Sequence, residues 1–185
     1  MLKNANYVEE NIIIADNNNT KILGKKAQVG FDLSVKNIYD VATAGFVSKS
    51  KTFVGKYVLR PVQTLTYEGV EFQGWFLPKG AYILEINEGC KFGPNDTGYI
   101  IQRSSLNRNN VGTVSSLWDP GFTTADGDKV NTITIRITVD NENGLYLEKD
   151  ARVAQLLVFE NENSELYGGA GSQFQGGRTT SKLIK

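Results

Sequence analysis

The sequence has no histidine among its 185 residues. That excludes Ser-His-Asp and Cys-His catalysis, His-ligated metals and the usual general base near neutral pH. Cys90 is its one cysteine, so neither an intrachain disulfide nor a Cys-x-x-Cys zinc site can form. Zinc-dependent deamination is excluded on the same ground. Disulfide-free usage fits a reducing cytosol, and a cytoplasmic location is expected. Charge of either sign is not in excess, because Lys plus Arg is 20 and Asp plus Glu is 20. No general electrostatic grip on nucleic acid or an anionic membrane is expected. No apolar run approaches the roughly 20 residues of a membrane span. The opening MLKNANYVEENIIIADNNN is too interrupted by charge and Asn to form a signal-peptide core. With histidine gone, the base of any enzyme built from this chain is a carboxylate or a lysine.

What is present reads as one globular domain, with 40% apolar and 22% charged residues. Alternation with period 2 marks strands at 81–87 and most clearly at 132–139. Segments 53–59 and 98–102 are strand-like too, and Arg152 to Phe159 reads as a strand buried on both faces. Turn signals at 77–80, 93–96, 126–128 and 141–144 separate them. Many short strands argue for an all-β sandwich, jelly roll or barrel. Helix is scarce, with candidates at 3–14 and 36–44 and one turn at 104–108 capped by Ser104. Cys90 reads as a half-buried structural residue, since no histidine is there to activate it. The end of the chain, 166–185, is rich in glycine and reads as a flexible tail.

Local charge is less even than the total. Residues 97–118 and 166–185 carry no carboxylate, whereas they hold Arg103, Arg108, Arg178, Lys182 and Lys185. Segments of this kind suit a polyanionic ligand, although polar loops also produce them. Gln102-Arg103-Ser104-Ser105-Leu106-Asn107-Arg108 follows a strand, and hydroxyls, free N–H groups and an arginine fork at a helix start can hold phosphate. A helix with surface arginines has the same sequence. Asp119 in Trp118-Asp119-Pro120-Gly121-Phe122 is either a turn-former or a general base at a strand end. Gly30-Phe31-Asp32-Leu33 reads as a strand entry after a glycine, and Gln155 is a polar residue inside an apolar run that must find a hydrogen bond.

Taken in order, Gly-Phe-Asp-Leu, Arg-Ser-Ser-Leu-x-Arg, Trp-Asp-Pro-Gly-Phe, Arg-Val-Ala-Gln-Leu and a Gly-rich aromatic tail resemble the motifs of the dUTPase and dCTP deaminase superfamily. The resemblance spans roughly 27–178 and is absent at 1–20 and 40–70. It implies a distorted jelly-roll-type β-barrel of the β-clip, dUTPase-like kind, with a few short helices. It places a single barrel domain at 1–165 and a tail at 166–185 that closes over the active site. It also implies a homotrimer with shared sites.

By motif match, Arg103, Ser104, Ser105 and Arg108 hold the triphosphate. Gly112 belongs to a β-hairpin, 109–122, whose main chain reads the uracil edge. Asp119 activates water, Phe122 lies under the deoxyribose and rejects a 2′-hydroxyl, and Gln155 braces the phosphate site. Phe174, Gln175 and Arg178 belong to the closing tail. The implied reaction is hydrolysis of dUTP to dUMP and pyrophosphate. Mg²⁺ arrives on the triphosphate, with no direct protein ligand and with Asp32 able to reach it through water.

The alternatives are a dCTP deaminase, including a dUMP-forming one, and a non-catalytic nucleotide-sensing or partner-binding relative. Deaminases of the superfamily carry a Glu on the strand after Asp-Pro-Gly. Here that position falls on Arg136, and no Glu lies between Glu88 and Glu142. Two further departures are an insertion-like stretch at 123–131 and a tail without Gly-Ser-Thr-Gly.

Overall fold

The computed structural model describes residues 1–15, 22–126 and 129–161, with only the backbone of Asp126 and Lys129. Helix α1 (Ala5–Asn11) and strand β1 (Ile13–Ala15) come first. Then follow β2 (Lys25–Lys26), β3 (Phe31–Val41), β4 (Phe46–Val47), β5 (Thr52–Phe53), β6 (Tyr57–Arg60), β7 (Gln63–Tyr67), β8 (Val70–Leu77) and β9 (Gly80–Ile86). Next are β10 (Glu88–Cys90), β11 (Asp96–Gln102), α2 (Ser104–Arg108), β12 (Val111–Thr113) and β13 (Leu117–Trp118). The last strands are β14 (Ala125–Asp126), β15 (Lys129–Val130), β16 (Thr134–Val139), β17 (Leu145–Glu148) and β18 (Arg152–Glu160).

The main sheet runs β12-β16-β9-β3-β18-β11-β13, with β2 and β6 also paired to β3. Its pairings are antiparallel. Strand β3 changes partner along its length: Phe31 to Ser34 lie against β18, and Val35 to Tyr39 lie against β9. The register shifts between Val35 and Asn37, and again between Arg152 and Ala154. Such bulges bend and twist a strand, which curls this sheet around its apolar face. The result is the expected all-β, jelly-roll-type barrel with few helices.

The period-2 pattern of β16 is realised in full. Ile135, Ile137 and Val139 are buried, and Arg136 between them is exposed. They meet Leu84 and Ile86 of β9, Phe31, Leu33 and Val35 of β3, and Leu156 and Val158 of β18 in one core. Each fully buried Leu or Ile contributes about 1.5–3 kcal/mol.

The structure corrects several local expectations. Segment 36–44 is not a helix, because β3 runs on to Val41 and buries Ile38 and Tyr39 between β9 and β6, and 42–44 are irregular. The helix expected at 3–14 ends at Asn11, and the β-branched pair Ile13-Ile14 then pairs with Gly89 and Cys90. Cys90 is fully buried, not half-buried, and burial pushes its thiol far above the ordinary range. Within 123–131, β14 and β15 pair as Ala125↔Val130 and Asp126↔Lys129, and Thr124 N–H donates to Cys90 O at 2.8 Å to tie them to β10.

Candidate active site

A cleft of about 510 Å³ opens where β3, β11 and β18 run side by side, lined by Ala27, Gln28, Val29, Asp32, Gln102, Arg103, Ser104 and Gln155. Register explains the grouping. Gln155 on β18 stands opposite Asp32 on one side and Ile101 on the other. Gly30, at φ +75°, turns the chain into β3, where a Cβ would lie 2.2 Å from Leu156 O. Only glycine fits there, so the turn carrying Gln28 and Val29 forms the wall of the cleft. The Gln155 side-chain amide donates to Val29 O at 2.7 Å, which is the hydrogen bond its sequence position demanded.

Two arginines converge on one carboxylate. Asp32 is buried, and its Oδ2 lies 3.2 Å from an Arg103 Nη2 and 3.3 Å from Arg152 Nη1. Arg103 also donates through Nη1 to Arg152 O at 2.9 Å. The guanidiniums are thereby held at the cleft while their outer faces stay partly open, with side-chain exposures of 25% and 40%. Such a pair suits an anion of more than one charge.

Arg103 is itself the cap residue of α2 and supplies no side-chain cap bond. Ser104 is therefore the first helical residue and not the cap that its type suggested. Leu106 and Asn107 N–H close back on Arg103 O at 3.1 and 3.2 Å, which leaves the Ser104 and Ser105 N–H groups, with their exposed hydroxyls, facing solvent or a ligand. Arg108 ends the same short helix, exposed.

Asp119 is not in this cleft. It begins the turn Asp119-Pro120-Gly121-Phe122, closed by Phe122 N–H donating to Asp119 O at 3.1 Å with Gly121 at φ +78°. Pro then Gly at the two central positions is the signature of a type II turn. Asp119 is exposed and follows Trp118, which pairs with Gly98, whereas Arg103 follows Gln102 at the opposite end of β11. At about 3.4 Å per strand residue, roughly 15–20 Å of sheet separates them. One chain thus brings Arg103, Ser104 and Gln155 together and leaves Asp119 elsewhere.

Phe122 stays with Asp119, its ring stacked on Trp118 at 6.0 Å and 15°, and Trp118 packs on buried Phe92 at 5.8 Å. Gly98 makes room for that stack, because a Cβ there would fall 2.2 Å from Phe92 Cζ. Segment 109–122 is not a closed hairpin: β12 pairs with β16 and β13 pairs with β11. Val111 is drawn into the core beside β16 while Leu117 lines up with Tyr99, so the two arms splay. Gly112 lies in the splayed arm opposite Thr138, with open space where a Cβ would stand. Phe174, Gln175 and Arg178, like the rest of the tail, lie outside the described residues.

The dCTP deaminase-like family profile matches residues 4–161. The chain belongs to that family. Among the relatives of this family member, a probable deoxyuridine 5′-triphosphate nucleotidohydrolase of Aeropyrum pernix is 34% identical over 142 residues, covering 76% of this chain and 80% of that protein. One of the same name from Archaeoglobus fulgidus is 30% identical over 129 residues, covering 69% and 68%. In fold, the chain resembles a dCTP deaminase of Agrobacterium tumefaciens, with TM-score 0.57 and 12% identity over 85% of this chain and 47% of that one. A dUTPase of Streptococcus mutans gives TM-score 0.53 and 12% identity over 83% and 98%.

Sequence reasoning missed Arg152 and Gln102 as members of the site. Gln102 Oε1 accepts from Thr113 N–H at 3.1 Å and so ties β11 to β12 across the rim. The signal for Arg152 was its place three residues before Gln155, but its partner Asp32 is 120 residues away. Among the described residues no three of Asp, Glu, His or Cys gather to hold a metal. The one carboxylate of the cleft, Asp32, is already committed to two guanidiniums. A resident divalent ion does not fit this donor set.

Proposed function

We propose that the protein is a dUTP diphosphatase. The observation that carries the reading is the Asp32-held pair Arg103 and Arg152 beside Ser104, a phosphate-binding arrangement in a chain whose named relatives are deoxyuridine triphosphate nucleotidohydrolases. Arg103, Ser104 and Ser105 donate to phosphate oxygens, with Arg108 at the outer end of the helix and Gln155 bracing the wall. The slot beside Gly112 presents main-chain groups to the uracil edge. Phe122, next to Asp119, offers an apolar face to a deoxyribose and no partner to a 2′-hydroxyl.

Asp119 accepts a proton from water. The water oxygen bonds to the α-phosphorus, the bond to the bridging oxygen breaks, and its electron pair leaves with pyrophosphate. Mg²⁺ enters bound to the triphosphate as part of the substrate, and no step is assigned to it. Because Asp119 sits roughly 15–20 Å from the cleft along one chain, it serves the cleft of a neighbouring copy in a homotrimer. Residues 1–165 form the barrel domain, and 166–185, with Phe174, Gln175 and Arg178, close over the nucleotide. Cytoplasmic action accords with the cysteine usage.

Arg136 favours hydrolysis over deamination. It stands exposed on β16 at the position where the superfamily's deaminases carry their Glu, and a guanidinium cannot shuttle protons to a cytosine ring. Asp119→Asn is the test. Turnover of dUTP should fall by about 10²–10⁴-fold while nucleotide binding persists. An Asn variant that retains activity sinks the assignment.

A further inference from the structure

We propose that the acid-free ribbon formed by β4 and β5 in one copy docks into a tyrosine- and glutamate-lined groove on the next copy of the same chain. The ribbon lies in the stretch that no superfamily motif covers. It pairs only with itself, as Phe46↔Phe53 and Val47↔Thr52. A two-stranded ribbon of this size is marginal in water unless something packs on it. Its apolar residues face outward: Phe46 is 57% exposed, Val47 79% and Phe53 60%. Val41, Val58 and Leu59 extend the patch at its base.

The charge on this surface has one sign. Between Asp40 and Glu68 there is no carboxylate, while Lys49, Lys51, Lys56 and Arg60 are present. Arg60 is paired with Asp40 at 2.9 Å, whereas the three lysines are exposed and have no carboxylate partner among the described residues. Lys49 and Lys51 flank the ribbon's turn, which Ser48 ties through Lys51 N–H at 3.0 Å.

The complementary surface is a groove of about 650 Å³ over the β17-β8-β7 sheet. Tyr67 and Tyr146 approach at 5.1 Å between ring centroids, and Phe72 sits edge-on to Tyr146 at 6.4 Å. Glu68, Glu71 and Glu148 rim these rings, all exposed and without a cationic partner among the described residues. One surface is apolar and basic, and the other is aromatic and acidic. No residue of 41–66 contributes to the wall of the groove in its own chain. A chain of zero net charge that segregates its charge in this way offers each copy both halves of a contact. The two halves are different surfaces, so the contact is head-to-tail, and it closes as a ring if the rotation allows.

The test places a thiol on each half, as Ser50→Cys at the ribbon turn in one preparation and Asn143→Cys at the groove in another. Both positions are exposed, and the natural Cys90 is wholly buried. The two preparations are unfolded together, refolded as a mixture and treated with a short bismaleimide. The mixture should crosslink well above either preparation alone. Lys49→Glu with Lys51→Glu in the ribbon copy should lower the yield about tenfold, and Glu68→Lys with Glu71→Lys in the groove copy should restore it. Equal yields in mixed and single preparations, or a charge reversal that is not rescued, overturn the proposal and leave the lysines as guards of an exposed strand edge. A protein that fails to turn over dUTP leaves this result unaffected.

Discussion

Replacing Asp32 with Asn tests how the cleft is organised. Asp32 has a side chain only 9% exposed and neutralises Arg103 and Arg152 at 3.2 and 3.3 Å. Exposed ion pairs contribute about 0–1 kcal/mol, while breaking a buried one costs about 3–5 kcal/mol. Here the carboxylate is buried and the guanidiniums are partly open, so a loss of about 2 kcal/mol is expected. For a chain of this size that lowers Tm by about 4–8 °C. The loss is limited because Arg103 keeps its bond to Arg152 O at 2.9 Å.

The effect on substrate goes further. A loosened Arg103 forfeits a charge-assisted phosphate contact, so kcat/KM for dUTP should fall about 10–100-fold. The assays are thermal unfolding by circular dichroism and steady-state pyrophosphate release. The refuting result has a definite sign. If Asp32 merely competes with phosphate for the arginines, the Asn variant will bind dUTP more tightly, with KM lowered and Tm unchanged.

Other outcomes follow from the same geometry. Gly98→Ala forces a Cβ to within 2.2 Å of Phe92 Cζ, so the Phe92-Trp118-Phe122 stack must shift; Trp118 emission should move and dUTP turnover drop, and unchanged emission would refute the packing account. Mixing Arg103→Ala with Asp119→Asn protomers after unfolding and refolding should restore activity to about a quarter of sites, ½ × ½, if each site draws on two copies; no recovery would mean a single-chain site. Tyr7 donates to Asp96 at 2.7 Å, and that bond with burial raises its pKa to about 12. The folded state therefore holds a proton that the unfolded chain releases first, and stability should decline between about pH 10 and 12. Tyr7→Phe should flatten that part of the alkaline stability curve, and an unaltered slope would contradict it.

The placement of the candidate site residues in the fold was legible where their signal is local. Arg103-Ser104-Ser105 sits at a strand-to-helix junction and Asp119 in a Pro-Gly turn, both written in adjacent residues. The alternation of 132–139 translated into buried and more exposed faces along β16 from Thr134 to Val139, whereas Thr132 is buried beside Ile133 and donates to Glu85. Contacts set by pairing between distant strands were not legible. Nothing around Asp32 announces Arg152 until β3 and β18 are in register, and the bulge at Arg152 makes that register irregular. The same cause defeated the helix expected at 36–44, whose strand state depends on β6 and β9. The closed hairpin expected at 109–122 failed because the free edges of β16 and β11 captured its two arms.

The most direct measurement incubates the protein with dUTP and with dCTP side by side, with Mg²⁺ and with chelator, and follows nucleotide, pyrophosphate and ammonia together. A dUTP diphosphatase releases dUMP and pyrophosphate from dUTP, loses that activity on chelation, and gives no ammonia from dCTP. Ammonia released from dCTP would contradict that assignment and would place a deaminating carboxylate somewhere other than the Arg136 position.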